Sequence, residues 1–252
     1  MPNCLEWSLW GEVQPPRLPR RKPRVGWAGA AQHQGDLELI YPVVEALADE
    51  VDWIFMGMCP EPLKPFVHEH HGFELDFRAY PRAMSRLDLD LAIAPLEIHA
   101  FNEAKSNLRL LEYGAMGWPV ICTDIYPYQN APVTRLPNDP EKWITTIREQ
   151  LAEPEALRAA GLALQTWVKN RFILENHAAC WFAAYGPWRA SIARLKARRP
   201  PAAFSRRTGD PPLSSFYKLD AKALIFRAAI KSQAVIRPES VGQKPTKKSK
   251  KI

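Results

Sequence analysis

Short apolar runs alternate with helix-patterned segments through most of this chain, and that alternation restricts it to an open α/β sheet. The runs fall at residues 24–27, 51–56, 73–77, 89–95 and 120–122. Between them lie a helix over residues 36–48, with Leu37, Ile40, Val43, Val44 and Leu47 inward, a short helix over 61–71, another near 83–86, and one that ends at Gly117. Each intervening segment is long enough to return the chain to the same end of the sheet, so the strands should be parallel with helices on both faces. Beyond Asp139-Pro140-Glu141, the positions of Trp143, Ile144, Ile147 and Leu151 mark an amphipathic helix. A second helix begins at Pro154, and helical sequence continues over 175–195. Ligands on such sheets bind beyond the carboxyl ends of the strands, an edge that here collects the turns at 29–33, 78–81, 95–105 and 123–128.

The stretch 101–124, FNEAKSNLRLLEYGAMGWPVICTD, carries most of the chemistry. Asn102, Glu103, Lys105 and Ser106 cluster where a helix should begin, and Leu108, Leu111 and Ala115 give that helix an apolar face. Gly117 and Pro119 end it before Val120-Ile121-Cys122. Free N–H groups near Ser106 and Asn107, with the partial positive charge of a helix start, suit a phosphate. Glu112 lies close to the apolar face, where a carboxylate needs a specific hydroxyl or cation. In the first turn, Gly29 and Ala30 let the backbone approach a ligand closely, although the turn matches neither the dinucleotide fingerprint nor the Walker pattern. His68-Glu69-His70-His71 reads as a solvated helix end, because adjacent histidines on a helix point in different directions. Asp88-Leu89-Asp90 enters a strand and reads as structural, so no metal site is expected.

Charge is segregated along the 252 residues. Residues 194–252 carry 16 Lys/Arg against Asp210, Asp220 and Glu239, a net of +13, whereas residues 25–193 carry 13 Lys/Arg and 22 Asp/Glu, a net of −9. That pattern argues against a specific nucleic acid partner for the domain and leaves the tail suited to an anionic surface. Three regions are expected: a Pro/Arg-rich, interdomain-like linker over 1–24, a Rossmann-like domain with closing helices over 25–195, and a basic, largely disordered tail over 196–252 with one helix at 220–235. The four cysteines are widely spaced and support neither a disulfide framework nor zinc. With no membrane-span pattern and no leader pattern, the expected location is cytoplasmic, with peripheral membrane association left open.

Taken together, PNCLEWSLW, VGWAGAAQHQGDL, LDLAIAPL and FNEAKSNLRLLEYGAMGWPVICTDIYPY resemble the C-terminal, donor-binding half of GT-B glycosyltransferases of the group 1, family 4-like retaining type. The resemblance covers roughly residues 1–185. It implies a single Rossmann-like open sheet that binds a nucleotide-diphosphate sugar, with no cofactor and no metal. In its terms Glu112 takes the ribose hydroxyls, and a carboxylate is chemically suited to accept two hydrogen bonds from a vicinal diol. The family's first glutamate would fall at Ala104, where this sequence offers Glu103 one position early and Lys105 one position late. The family's cations in the first turn are missing from residues 26–36, so Lys105, with the N–H groups near Ser106 and Asn107, is expected to hold the diphosphate. Gly29 and Ala30 would face the same phosphates, His33 would lie near the sugar, and Tyr80 would stack on the base. Glu103 and Lys105 are the candidate catalytic residues.

The resemblance also implies an acceptor-binding half, which these residues do not supply. Either the chain is a piece of a longer protein or it works with a separate acceptor-binding domain or subunit, because transfer needs donor and acceptor held together away from water. The alternative is a non-catalytic nucleotide-sugar-binding or scaffold protein derived from such an enzyme. A dinucleotide-dependent oxidoreductase is disfavoured by the missing glycine fingerprint and the missing acidic residue after the second strand.

Overall fold

Six parallel strands form one sheet in the order β3-β2-β1-β4-β5-β6: β1 (Arg24–Gly29), β2 (Asp52–Gly57), β3 (Glu69–His71), β4 (Leu91–Ala94), β5 (Val120–Thr123) and β6 (Thr134–Leu136). The computed structural model describes residues 2–197, with side chains placed through residue 185. The helices are α1 (Trp7–Trp10), α2 (Gln34–Glu38), α3 (Tyr41–Ala46), α4 (Tyr80–Ser85), α5 (Ala100–Glu103), α6 (Leu108–Ala115), α7 (Pro140–Ala152), α8 (Pro154–Arg171) and α9 (Leu174–Ala197). Among the described residues no helix is long and apolar enough to cross a membrane.

Alternation along the strands builds two cores. Val25, Trp27, Trp53, Phe55, Leu91, Ile93 and Ile121 face one side, where they pack with Leu37, Val43 and Val44 near α2 and α3 and with Trp143 and Ile147 of α7. Ala28, Ile54, Met56, Ala92, Ala94, Val120 and Cys122 face the other side and pack with Met84 of α4, Leu110, Leu111 and Tyr113 of α6, and Leu164 and Val168 of α8. Helices α6 and α8 cross closely at Gly114, where a Cβ would stand 2.7 Å from Val168 Cγ2.

The edge strand differs from the expectation. The run at 73–77 is loop, and the strand is Glu69–His71, within the histidine run expected to be a helix end. Side-chain contacts with β1 and β2 hold it there. Arg24 clamps Glu69 through Nη1 at 2.5 Å and Nη2 at 2.8 Å, a hydrogen-bonded pair that pulls the Glu69 carboxyl down to about 2. The His68 Nδ1 accepts from the Trp53 N–H at 3.1 Å, and His70 Nε2 lies 2.8 Å from the Gly57 carbonyl. The expected helix over 61–71 shrinks to a 3₁₀ segment, Glu61–Phe66, because Pro62 and Pro65 remove backbone donors. The helix expected over 36–48 is two short helices divided around Leu39 and Ile40, with Pro42 in the first turn of α3.

Residues 1–24, expected as a linker, are bound along the domain. Leu5 N–H donates to the Phe172 carbonyl and Leu174 N–H to the Leu5 carbonyl, each at 2.8 Å, and the side chains of Leu5 and Trp10 are buried. The proline-rich run blocks helix formation but leaves extended backbone whose N–H groups bind side chains. The Arg17 and Leu18 N–H groups donate to the Asp88 carboxylate at 2.9 and 3.1 Å, and Arg20 pairs with the same group. The expected basic tail beyond residue 197, with its helix at 220–235, lies outside the described residues.

Asp88 therefore ties residues 17–20 to the turn before β4, with a backbone φ of 45°. Replacing Asp88 with Ala leaves the Arg20 charge and two N–H groups without their acceptor and strains the left-handed backbone. Asp88→Ala is expected to lower the unfolding free energy by about 3 kcal/mol in urea denaturation. Asp88→Asn, which keeps an acceptor and tolerates that φ, should lose less than half as much.

Candidate functional site

The carboxyl ends of β1 and β2 meet at two glycines. Gly57 has a φ of 89°, and a Cβ there would stand 2.1 Å from the Gly29 carbonyl oxygen, so neither strand end can approach the other this closely with a side chain at Gly57. The Met58 N–H donates to that carbonyl at 2.9 Å, which closes the pair. From Gly29 and Ala30 the chain enters a 3₁₀ turn, Ala31–His33, and then α2.

Asp36 is the hub of the turns at this edge. It is 4% exposed, and both its oxygens are occupied. Oδ1 accepts from the Glu97 N–H and from Asn102 Nδ2, both at 2.8 Å. Oδ2 lies 2.7 Å from His33 Nδ1 and 3.5 Å from Lys105 Nζ. One carboxylate thereby joins the turn after β1, the turn after β4, and α5. Burial pushes the Asp36 carboxyl up, but the His33 hydrogen bond, the Glu97 N–H and Lys105 outweigh it and hold the group below its ordinary value.

Helix α6 brings a second group of side chains to the same edge. Arg109 lies with its guanidinium carbon 5.2 Å from the Trp27 ring and 5.9 Å from the Tyr113 ring, and its Nη2 is 3.2 Å from His33 Nε2. The same Nη2 would lie 2.8 Å from a Cβ at Gly29, so the guanidinium covers the end of β1. Tyr113 accepts the Ala28 N–H at 2.9 Å through its hydroxyl oxygen, which docks α6 onto β1, and burial pushes its own hydroxyl up to about 12. Glu112 follows Arg109 by three residues, on the same side of the helix. Burial raises its carboxyl to about 7, against the opposing pull of Arg109 and of a hydrogen bond from the Tyr80 hydroxyl.

Several expected residues are placed differently from the reading of the sequence. Tyr80 packs its ring against Trp10 and Phe73, with centroids 5.9 Å away in each case, so it meets the site through its hydroxyl on Glu112. Lys105 is not a free cation: it pairs with Asp36 and lies 5.3 Å from the Phe101 ring, and burial lowers its ammonium from the ordinary value. The Glu103 carboxylate accepts from the Tyr126 N–H at 3.3 Å, and Ala104 is exposed. The helix begins later than expected, with Asn107 preceding Leu108. Ser106 Oγ accepts from Asn3 Nδ2 at 2.6 Å, which brings the start of the chain to this edge. His33, Gly29, Lys105 and Glu112 thus converge with Arg109, which sequence reasoning missed. The spacing of Lys105, Arg109 and Glu112, four and three residues apart, could have revealed it as a polar stripe.

No protein-family model matches the sequence, and no curated protein matches it. Solved structures do. A glycosyltransferase from Rickettsia africae ESF-5 matches with a TM-score of 0.56 at 15% identity, over 73% of this chain and 55% of that one. Sucrose-phosphate synthase from Thermosynechococcus elongatus matches with a TM-score of 0.55 at 17% identity, over 75% of this chain and 52% of that one. Anabaena HepE, in complex with UDP and glucose, matches with a TM-score of 0.50 at 12% identity, over 66% of this chain and 48% of that one. The matched region is about half the length of those proteins. The fold is the Rossmann-like α/β fold found in part of GT-B glycosyltransferases.

The raised Glu112 carboxyl has a consequence for stability. A folded-state value of about 7, above the ordinary 4.5, means that the folded protein holds this proton more tightly than the unfolded chain. The resulting cost is absent below the ordinary value and grows as pH rises from 4.5 to about 7. Glu112→Gln should therefore stabilise the protein above pH 7 by about 3 kcal/mol and have little effect near pH 4. Tyr80→Phe removes the hydrogen bond to the carboxylate and should move the Glu112 titration further up, read by carbon NMR of the side-chain carboxyl.

Proposed function

We propose that this chain is a donor-binding domain for a nucleotide-diphosphate sugar, acting in retaining glycosyl transfer together with an acceptor-binding half. The observation that carries this reading is the pairing of Arg109 and Glu112 on one side of α6, with the Arg109 guanidinium over the glycine end of β1. A guanidinium can take two phosphate oxygens through parallel N–H bonds, and a carboxylate can take two adjacent ribose hydroxyls. Arg109 then replaces Lys105 as the principal cation at the diphosphate, with Gly29 and Ala30 allowing close approach of the backbone. Ser106 and Asn107 remain at the start of α6.

In this reading the charge that develops on the departing diphosphate is stabilised by Arg109, already desolvated against Trp27 and Tyr113. Lys105 supports the site through Asp36, and Glu103 braces the turn at Tyr126. The acceptor half is supported by the surface around the site. Phe73, Leu75, Ile98, Phe101 and Tyr126 project from three turns at the carboxyl edge, and each is between 45% and 89% exposed. A surface of that kind suits burial beneath a second domain. The alternative, a binding protein without catalysis, is favoured by Glu103, whose carboxylate is occupied by the Tyr126 N–H.

A uridine or guanosine diphosphate sugar at a hundred times its dissociation constant should stabilise the full chain by about 2.7 kcal/mol. That corresponds to a rise of roughly 5–10 °C in Tm. Glu112→Ala is expected to abolish the rise, and Arg109→Ala to weaken binding by at least about tenfold. If no nucleotide-diphosphate sugar shifts the melting curve, the donor-site reading is wrong. Binding without transfer is expected of the chain by itself, and sugar transfer by the purified chain would contradict its dependence on a partner half.

A further inference from the structure

His33 occupies the position of an acceptor for Arg109. Asp36 Oδ2, 2.7 Å from Nδ1, keeps the proton on that nitrogen of the neutral ring, so Nε2 presents its lone pair to Arg109 Nη2 at 3.2 Å. In the free site the imidazole therefore receives a hydrogen bond that a phosphate oxygen would receive in the occupied one. This arrangement is partly shielded from water: the His33 side chain is 13% exposed and rests edge-on to Trp27, with centroids 5.9 Å apart.

We propose that anion binding at this site is proton-linked, with His33 taking up a proton on Nε2 as the anion arrives. The anion's oxygen accepts the Arg109 N–H that His33 had accepted. The Nε2 lone pair takes a proton from solvent, and the new N–H donates to the same anion, while Nδ1–H stays on Asp36. No bond to the ligand forms or breaks. His33 is thereby a binding residue for the phosphates, in place of the sugar contact expected from the sequence. The inference rests on the donor-site reading only in naming a diphosphate as the anion.

The charges facing His33 determine the direction of the effect. From its own turn, Asp36 favours the imidazolium; from α6, Arg109 opposes it, and so does Lys105 just before that helix. From the turn after β4, Glu97 donates its N–H to Asp36 and lies beside Gly35 with its carboxylate. On the far side of Arg109 stand Glu112 and Tyr113. Burial, with Arg109 and Lys105, holds the free His33 below its ordinary value despite Asp36. A bound anion neutralises the two cations and leaves Asp36 in place, so the imidazole titrates higher in the complex. Affinity for an anion of fixed charge then increases as pH falls through the interval between the free and bound values.

The test uses the full chain with labelled histidine, whose His33 resonance is assigned by its loss in His33→Gln. Saturating UDP should raise the His33 titration midpoint by about one pH unit or more. Sulfate, whose charge is constant between about pH 5.5 and 8.5, serves as the affinity probe because the UDP terminal phosphate titrates in that range, and a Glu112→Gln background removes the titration of Glu112. Sulfate affinity should rise by up to about tenfold per pH unit on acidification in Glu112→Gln and stay flat when His33→Gln is added to it. An unchanged His33 midpoint with UDP bound, or flat sulfate affinity in Glu112→Gln, overturns the proton link and leaves donor binding standing. A sulfate slope without nucleotide binding would instead retain the proton-linked anion site and remove the donor reading. Failure of both anions to bind overturns both.

Discussion

The buried Asp36 carboxylate is the constraint on which the ligand edge depends. Removing a carboxylate from water is expensive unless its lone pairs are filled, and here four partners from the segments after β1 and β4 fill them. Those partners are the Glu97 N–H, Asn102, His33 and Lys105, so the residues after β1 and β4 cannot move independently. The orientation of His33, and through it the acceptor for Arg109, follows from that one group. A buried hydrogen-bond hub of this kind gives a defined geometry more than it gives stability, because a half-satisfied version would be costly.

A second coupling runs through α6. Its apolar residues pack into the core shared with α8, while Tyr113 reaches the backbone of β1 and Arg109 covers Gly29. The helix is short, and packing supplies most of the stability of a short helix. Its polar residues therefore inherit a position set by the core beneath them. Glu112 is held in a desolvated place that raises its carboxyl toward neutrality in the free protein, against the opposing pull of the Tyr80 hydrogen bond and the neighbouring Arg109. A ligand hydroxyl or charge at this position acts on a group already near its titration point.

The N-terminal segment shows how composition can mislead about docking. Proline and arginine density correctly excludes a regular helix over the middle of residues 1–24, yet it says nothing about whether the extended backbone finds partners. It finds Asp88, Phe172 and Leu174, none of them close in sequence. The edge strand makes the same point in reverse. The alternating run at 73–77 has the pattern of a strand, but Glu69–His71 takes the position because Arg24, Trp53 and Gly57 offer it side-chain and backbone partners.

What the sequence determined by itself is the layered architecture and the sheet edge at which the candidate site residues lie. Period-two apolar runs and helical spacing report burial locally, so β1, β2, β4, β5, α6, α7 and α8 could be read from residues close to one another in the chain. The special position of Glu112 was legible for the same reason, as a carboxylate beside an apolar helical face. Tertiary structure alone decided the partners. The place of Lys105 in the sequence carries no sign of its pairing with Asp36, 69 residues away, nor that of Arg109 any sign of Gly29, Trp27 and His33 gathered around it. Hydrogen bonds and ion pairs depend on a few tenths of an ångström between side chains from distant segments, and local spacing carries no record of that distance.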